Sequence, residues 1–196
     1  MIHMSETVVD MVQRSIAALW DAAAALGSDE SAVERLARLV DSIGQFEAQL
    51  AGLRLHLLNE ARLSAADRVI EGVRQSVRTS PAQATAALRL AQDLGDRFPL
   101  IAAALNEGLI SMPQADAIIT GLRKLPERLT RAQLAECQEL ILAHVDALGP
   151  SELRTLASRP LEVIDPDRAD ADDAKRLARE ARAAHRNRSL RPAPDH

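Results

Sequence analysis

The histidines and the single cysteine are the residue types in this sequence that are best suited to metal binding and catalysis. The five histidines occur in no H-E-x-x-H or H-x-x-H spacing. Cys137 and His144 share one face of a predicted helix, but they lie seven residues apart, which is about 10 Å along the helix and too far to ligate one ion. We expect a buried Cys137 and a polar His144 at the edge of the core. The sequence predicts no catalytic residue and no metal site.

Glycines and aspartates can bind phosphates or calcium, but their spacing here does not match the known binding loops. The eight glycines occur singly, without G-x-G-x-x-G or P-loop spacing, so no backbone cradle for a phosphate is predicted. In residues 165–176, Asp170 stands where an EF-hand loop requires glycine, and Arg176 stands where it requires glutamate. We therefore expect no cofactor, and we interpret the aspartates as a solvated helix start.

Two predicted helices on either side of residues 78–80 have the proportions of a DNA-binding helix-turn-helix. The second opens at Pro81 and would enter the major groove. Gln and Arg can read adenine and guanine edges, and two arginines one turn apart can hold phosphates. The candidate DNA-contacting residues are Arg74, Arg78, Gln83, Thr85 and Arg89. The alternative is a chance helix pair with arginines on its solvated face, which is common in all-α domains.

The C-terminal segment carries a second candidate for nucleic-acid binding. Seven basic residues lie within residues 175–191, among which Arg186 and Arg188 are the candidate phosphate contacts. Five aspartates within residues 165–173 cancel much of this positive field, and no aromatic residue is interleaved for base stacking. The alternative is a solvated charged helix with a frayed end.

The overall charge and hydropathy restrict the class of protein. A net charge of −4 argues against a general phosphate binder, although a local basic face can still bind DNA. No apolar run reaches the roughly 18 residues that a membrane span needs, because Asp21 interrupts the best one. The N-terminus lacks the pattern of a secretory signal, and a single cysteine excludes a disulfide framework. We expect a soluble cytoplasmic protein with no membrane partner.

Apolar residues recur with helical spacing along most of the chain and nowhere alternate with period two, which predicts an all-α fold. Closely spaced Gly, Pro, Ser and Thr breaks predict a compact multi-helix bundle over residues 64–160, which includes the helix-turn-helix-like pair. Its predicted helices span about 64–77, 81–94, 99–106, 111–122, 130–148 and 151–159. Residues 161–196 are predicted to form a charged helix and a flexible tail.

Residues 1–63 are predicted to form a long antiparallel helical hairpin, whose first helix is capped by Ser5. The second helix carries an apolar seam with three-four spacing, which Glu47 and Arg54 interrupt. The seam comprises Val33, Leu36, Val40, Ile43, Leu50 and Leu57. Two partners fit it, namely the first helix of the same hairpin or a second copy of the chain. A homodimeric coiled coil would use Leu36, Val40, Ile43 and Leu50.

A series of short motifs resembles a known family over most of residues 30–191. The motifs follow the order S-P-A-x-A from Ser80, L-R-L-A from Leu88, F-P from Phe98, and A-L-x-x-G-x-I-S-x-x-Q-A from Ala104. The chain resembles the actinobacterial domain of unknown function 222 (DUF222), whose members are repeat-element and HNH-endonuclease-associated proteins. The tryptophan usual in the family before Ser80 is absent here. A weaker resemblance, carried by the Leu-Arg-Leu helix and the following Gly-x-Ile-Ser turn, is to the DNA-binding core of ParB-type partition proteins.

The resemblance implies a helical accessory module and, in longer members, a metal-dependent HNH nuclease that follows it. No H-N-H residues are present here to inherit that role, so we expect a non-catalytic module that is either a truncated copy or a stand-alone relative. It would bind duplex DNA or position an HNH nuclease region in cis or in trans. The alternative is a protein-interaction or dimerisation scaffold with no nucleic-acid role.

Overall fold

Eight α-helices and no strand make up the part of the chain that the structure describes, which confirms the all-α prediction. The structure is a computed structural model and describes residues 2–25, 30–64, 67–77 and 79–160. The helices are α1 (Ile2–Ala24), α2 (Glu30–Leu63), α3 (Asp67–Arg74), α4 (Pro81–Asp96), α5 (Pro99–Asn106), α6 (Met112–Leu122), α7 (Arg131–Leu142) and α8 (Pro150–Ser158). None of these helices is both long and apolar enough to cross a membrane. The predicted charged helix and tail, residues 161–196, lie outside the described residues.

Local hydrogen bonds explain where three of the helices begin. α4, α6 and α7 each follow a Ser or Thr whose side-chain oxygen accepts a hydrogen bond from the backbone N–H three residues later. The Gln at that later position accepts in return from the backbone N–H of the capping residue, at 2.9 to 3.1 Å. The pairs are Ser80 with Gln83, Ser111 with Gln114, and Thr130 with Gln133. The predicted starts of these helices are confirmed.

Three other predicted helix ends are wrong. Ser5 lies inside α1 and does not cap it, because the helix already begins at Ile2. α3 ends at Arg74 rather than near residue 77. α7 ends at Leu142 rather than near residue 148, and hydrogen bonds between residues three apart tighten the chain after it. Helical apolar spacing continues past both ends, so periodicity alone could not locate them.

The core of the compact domain is centred on α6, which is buried around most of its circumference. Its buried residues are Ala115, Ala117, Ile118, Ile119, Gly121 and Leu122. α8 packs closely on this helix at Gly121. A Cβ atom on Gly121 would lie 2.6 Å from the Cβ of Ala157 and 2.6 Å from the carbonyl oxygen of Arg154. The missing side chain therefore permits the short distance between α6 and α8.

The second half of α2 belongs to the same core as the compact domain. Ala48, Leu55 and Leu58 are buried in one cluster with residues of α4, α5 and α6, and α2 packs along α4 and α5. This corrects the predicted domain boundary at residue 63, since the second half of α2, which precedes that boundary, is a structural part of the bundle. The boundary was misplaced because this second face carries Ala48, Gly52 and Asn59 besides Leu55 and Leu58 and therefore gives a weaker apolar signal than the seam.

α4 continues to Asp96, two residues beyond its predicted end at residue 94. A Cβ atom on Gly95 would lie 2.7 Å from the Cγ of Asn59, which is buried on α2. The side-chain oxygen of Asn59 accepts hydrogen bonds from the guanidinium of Arg62 at 2.9 and 3.1 Å. Glycine at this position serves the close packing of α4 on α2 rather than the end of a helix.

Candidate interaction surfaces

The seam of α2 lies on one side of the helix, and the residues that pack on the compact domain lie on the other. In a seven-residue register, position d holds Leu36, Ile43, Leu50 and Leu57, and position a holds Val33, Val40, Glu47 and Arg54. The buried Ala48, Leu55 and Asn59 occupy positions b and f of the same register, and the buried Leu58 occupies position e at the border between the two sides. α2 is therefore apolar on two sides, of which only the second is covered by the compact domain.

The four predicted interface residues on the seam are exposed. Leu36, Val40, Ile43 and Leu50 keep 51, 61, 38 and 54% of their surface accessible. Phe46 and Leu53, both more than half exposed, widen the same face. Phe46 and Leu53 are not among the predicted interface residues because they fall outside the a and d positions, although their seven-residue spacing is visible in the sequence.

The intramolecular hairpin requires α1 to cover the seam, but α1 does not cover it. Met11, Val12 and Ile16 on α1 are at least 42% exposed, and Trp20 is 73% exposed. Within the described residues, α1 also lacks extensive contacts with any other helix. The predicted packing of α1 on α2 is thus corrected. Periodicity shows that each helix has an apolar face, but it does not show which partner covers that face.

Glu47 and Arg54 are the two charged residues on the seam. Both are exposed, and neither has a hydrogen bond or ion pair with another described residue. They lie seven residues apart on the same side of α2, which is about 10 Å along the axis and too far for a direct ion pair. The seam therefore carries one negative and one positive group, separated by Leu50, that have no partner within the described part of the chain.

The predicted DNA-binding pair corresponds to α3 and α4, which are in contact. Residues 75–80 connect them, and these six residues exceed the three or four of the usual motif. Arg74 ends α3 and is exposed, and Thr85 and Arg89 lie one turn apart on the exposed side of α4. Arg74, Thr85 and Arg89 therefore lie on two neighbouring helices. Arg78, Arg186 and Arg188 lie outside the described residues.

Two of the candidate base-reading residues make local hydrogen bonds in the structure. The amide oxygen of Gln83 accepts from the backbone N–H of Ser80 at 2.9 Å, as part of the capping box of α4. The hydroxyl of Thr85 donates to the carbonyl of Pro81 at 2.9 Å. The S-x-x-Q spacing was visible in the sequence and indicates the cap that Gln83 forms with Ser80.

Acidic residues reduce the positive charge at the end of α4. Asp93 pairs with Arg123 at 2.6 Å, and Asp96 pairs with Arg62 at 2.7 Å. These pairs fix the end of α4 to α2 and to the end of α6. The two arginines are therefore not available as phosphate contacts without breaking an ion pair, and Arg89 remains as the exposed cation of α4.

Within the described residues, no group of three or more His, Cys, Asp or Glu side chains could hold a metal ion. Cys137 is buried as expected, and burial, with a smaller effect of the Glu136 charge, raises the pKa of its thiol to about 11. His144 is exposed, with its Nδ1 2.8 Å from the carbonyl oxygen of Leu140.

A cavity of about 50 Å³ lies between α2, α4 and α5. This volume can hold water but is too small for a substrate.

Comparison with known proteins gives one match. The family described as Domain of unknown function (DUF222) matches residues 33–194, which is more than four fifths of the chain and includes nearly all of α2. No curated protein and no solved structure matches the chain. The match confirms the family that the motifs around Ser80, Phe98 and Ser111 indicate, and the chain belongs to the DUF222 family.

Proposed function

We propose that this DUF222 chain is a helical scaffold that self-associates through the seam of α2. The observation that supports the proposal is the exposure of the seam along about 36 Å of helix, from Val33 to Leu57. Monomeric proteins rarely leave contiguous apolar patches of more than a few hundred Å² in contact with water, and larger ones mark interaction sites. The heptad spacing of the seam suits a second α-helix, because knobs at positions a and d pack into holes of a facing helix.

Light scattering over a concentration series tests this proposal. The wild-type chain should reach twice its mass of 21.2 kDa. Leu36→Glu and Ile43→Glu should each shift the equilibrium strongly toward the monomer, because each buries a carboxylate among apolar seam residues. Leu109→Glu is the matched control, since Leu109 is 63% exposed but lies between α5 and α6. A wild-type chain that stays monomeric at all concentrations would refute self-association.

A second candidate function is duplex DNA binding by α3 and α4, through which the module positions an HNH nuclease region supplied in cis or in trans. It is favoured by the exposure of Arg74 and Arg89, which form no ion pair with another described residue. Guanidinium groups on neighbouring helices can contact phosphates on one duplex backbone. The ion-paired end of α4 makes this surface less positive than that of typical DNA-binding domains.

Mobility-shift titrations at several salt concentrations test DNA binding. If Arg74 and Arg89 contact phosphates, Arg74→Gln and Arg89→Gln should each weaken binding and reduce the slope of log affinity against log salt by about 1. Arg131→Gln on the exposed start of α7 removes the same charge elsewhere and should have little effect. Absence of any shift at low ionic strength, where phosphate contacts are strongest, would exclude this function.

A further inference from the structure

A second copy can lie parallel or antiparallel to α2, and the two charged residues on the seam distinguish between these orientations. Glu47 and Arg54 occupy successive a positions on either side of Leu50. Between Val33 and Leu57, the e and g positions that flank the seam hold Ala37, Gly44, Ala51, Leu39, Phe46 and Leu53. Since charges at e and g normally set helix orientation and none is present over this stretch, the two a-position charges must set it.

A parallel arrangement places like charges together. Residues at position a face their own copies in a parallel pair, so Glu47 would lie beside the partner's Glu47 and Arg54 beside the partner's Arg54. Like charges in contact are destabilising. Sliding one copy by a heptad would pair Glu47 with the partner's Arg54 once only. Such an offset contact is not two-fold symmetric, so it does not close into a dimer.

We propose that a second copy of this chain lies antiparallel along the seam, with Glu47 of each copy paired with the partner's Arg54. This inference rests on the proposed self-association. A two-fold axis close to Leu50 brings each Glu47 within one helical turn of the partner's Arg54, and the symmetry forms this pair twice. Both seam charges then gain an opposite partner, and the apolar seam residues on either side of them are covered.

The antiparallel arrangement also determines where the two compact domains lie. Each domain packs on the second half of its own α2, on the side away from the seam. The first half of each α2, whose seam residues Leu36 and Val40 are exposed, then lies beside the second half of the partner's α2. The two compact domains are placed toward opposite ends of the paired helices, so their α3–α4 surfaces are separated.

Charge exchange tests the orientation, with the dimer dissociation constant measured by analytical ultracentrifugation. In an antiparallel dimer, Glu47→Arg or Arg54→Glu alone brings like charges together and should weaken dimerisation by at least about tenfold, which is about 1.4 kcal/mol. The double variant restores opposite pairs and should return the dissociation constant to within about threefold of wild type. In a parallel dimer, wild type, single and double variants all juxtapose like charges, so the single exchanges would have little effect. Circular dichroism confirms that each variant is folded.

Cysteine cross-linking supplies an independent measurement. In the antiparallel dimer, Leu50→Cys lies near the two-fold axis and should form an intermolecular disulfide under mild oxidation. Leu36→Cys should not, because more than about 40 Å of helix separates the two copies of that position. Cys137 is buried and provides no competing thiol in the folded chain.

The outcomes separate this inference from the proposed function. A chain that remains monomeric refutes both self-association and orientation. A dimer that is insensitive to the single charge exchanges, or that cross-links through Leu36→Cys, refutes only the antiparallel arrangement. A monomer in which Trp20 and the seam are protected from solvent would instead assign the seam to α1 of the same chain.

Discussion

At the scale of single residues, the glycines of this chain differ in how much space surrounds the position that a Cβ atom would occupy. Gly121 lies against α8, where both the Cβ of Ala157 and the carbonyl oxygen of Arg154 would be 2.6 Å from an added Cβ atom. Gly72 in α3 has no atom within 4 Å of the same position. The same substitution by alanine should therefore change the free energy of unfolding in opposite directions at these two positions.

We expect Gly121→Ala to lower the free energy of unfolding by about 1–3 kcal/mol, because the added methyl group overpacks the contact between α6 and α8. Gly72→Ala should raise it by about 0.5–1 kcal/mol, because alanine favours the helix and meets open space. Chemical denaturation of both variants measures the two effects. A stabilised Gly121→Ala chain would contradict the close approach of α8.

The buried thiol of Cys137 predicts a loss of stability at high pH. Its pKa is raised from 9.0 to about 11, so the folded state favours the protonated thiol. This contribution is complete below pH 9 and is lost as the pH rises toward 11, because the unfolded chain releases the proton first. Melting temperatures should fall more steeply over this range for wild type than for Cys137→Ala. The chain has no tyrosine that titrates in the same range.

At the scale of helices, a residue on one helix caps the start of another. Phe98 precedes α5 and makes no side-chain cap. The buried side chain of Gln138 on α7 supplies the missing acceptor, since its oxygen accepts from the backbone N–H of Leu100 at 3.2 Å. Its amide nitrogen donates to the carbonyl of Leu134 at 2.9 Å. Gln138 therefore fixes α7 against the start of α5.

Replacing Gln138 by leucine should lower the free energy of unfolding by about 1–3 kcal/mol, since the N–H of Leu100 loses its partner in a buried position. Gln92→Leu is the matched control on the exposed side of α4 and should stay within about 0.5 kcal/mol of wild type. Thermal or chemical denaturation compares the two. Equal effects at both positions would show that the interhelical cap is unimportant.

At the scale of the whole molecule, the chain combines a compact bundle with two helices that expose apolar faces. The apolar side of α2 extends over positions a, d, e and g, which is wider than a two-stranded coiled coil needs. The additional width can accommodate α1, whose Met11, Ile16 and Trp20 are exposed. Self-association through α2 would therefore provide a surface for α1 as well.

Trp20 is the single tryptophan of the chain and reports on this arrangement. When dimerisation brings α1 against the paired α2 helices, we expect its fluorescence to shift to shorter wavelength and to resist quenching by acrylamide. The change should follow the dimer concentration in wild type and in Leu109→Glu, and should be absent in Leu36→Glu. A doubled mass without any change in Trp20 fluorescence would show that α1 stays outside the interface.

The sequence by itself determined the helical class, the family, and the starts of α4, α6 and α7. These features depend on short-range signals, because apolar periodicity and Ser/Thr-x-x-Gln caps act within one or two turns of the chain. It also marked the seam, since Leu36, Val40, Ile43 and Leu50 share one side of a helix whatever covers them.

Only the tertiary structure decided which apolar faces are in contact. It showed that the second half of α2 packs on α4 and α5, that the seam is exposed, and that Gly95 and Gly121 serve helix packing. Contacts between segments distant in the chain depend on the shapes of both surfaces, and a periodic pattern in one segment carries no information about the other.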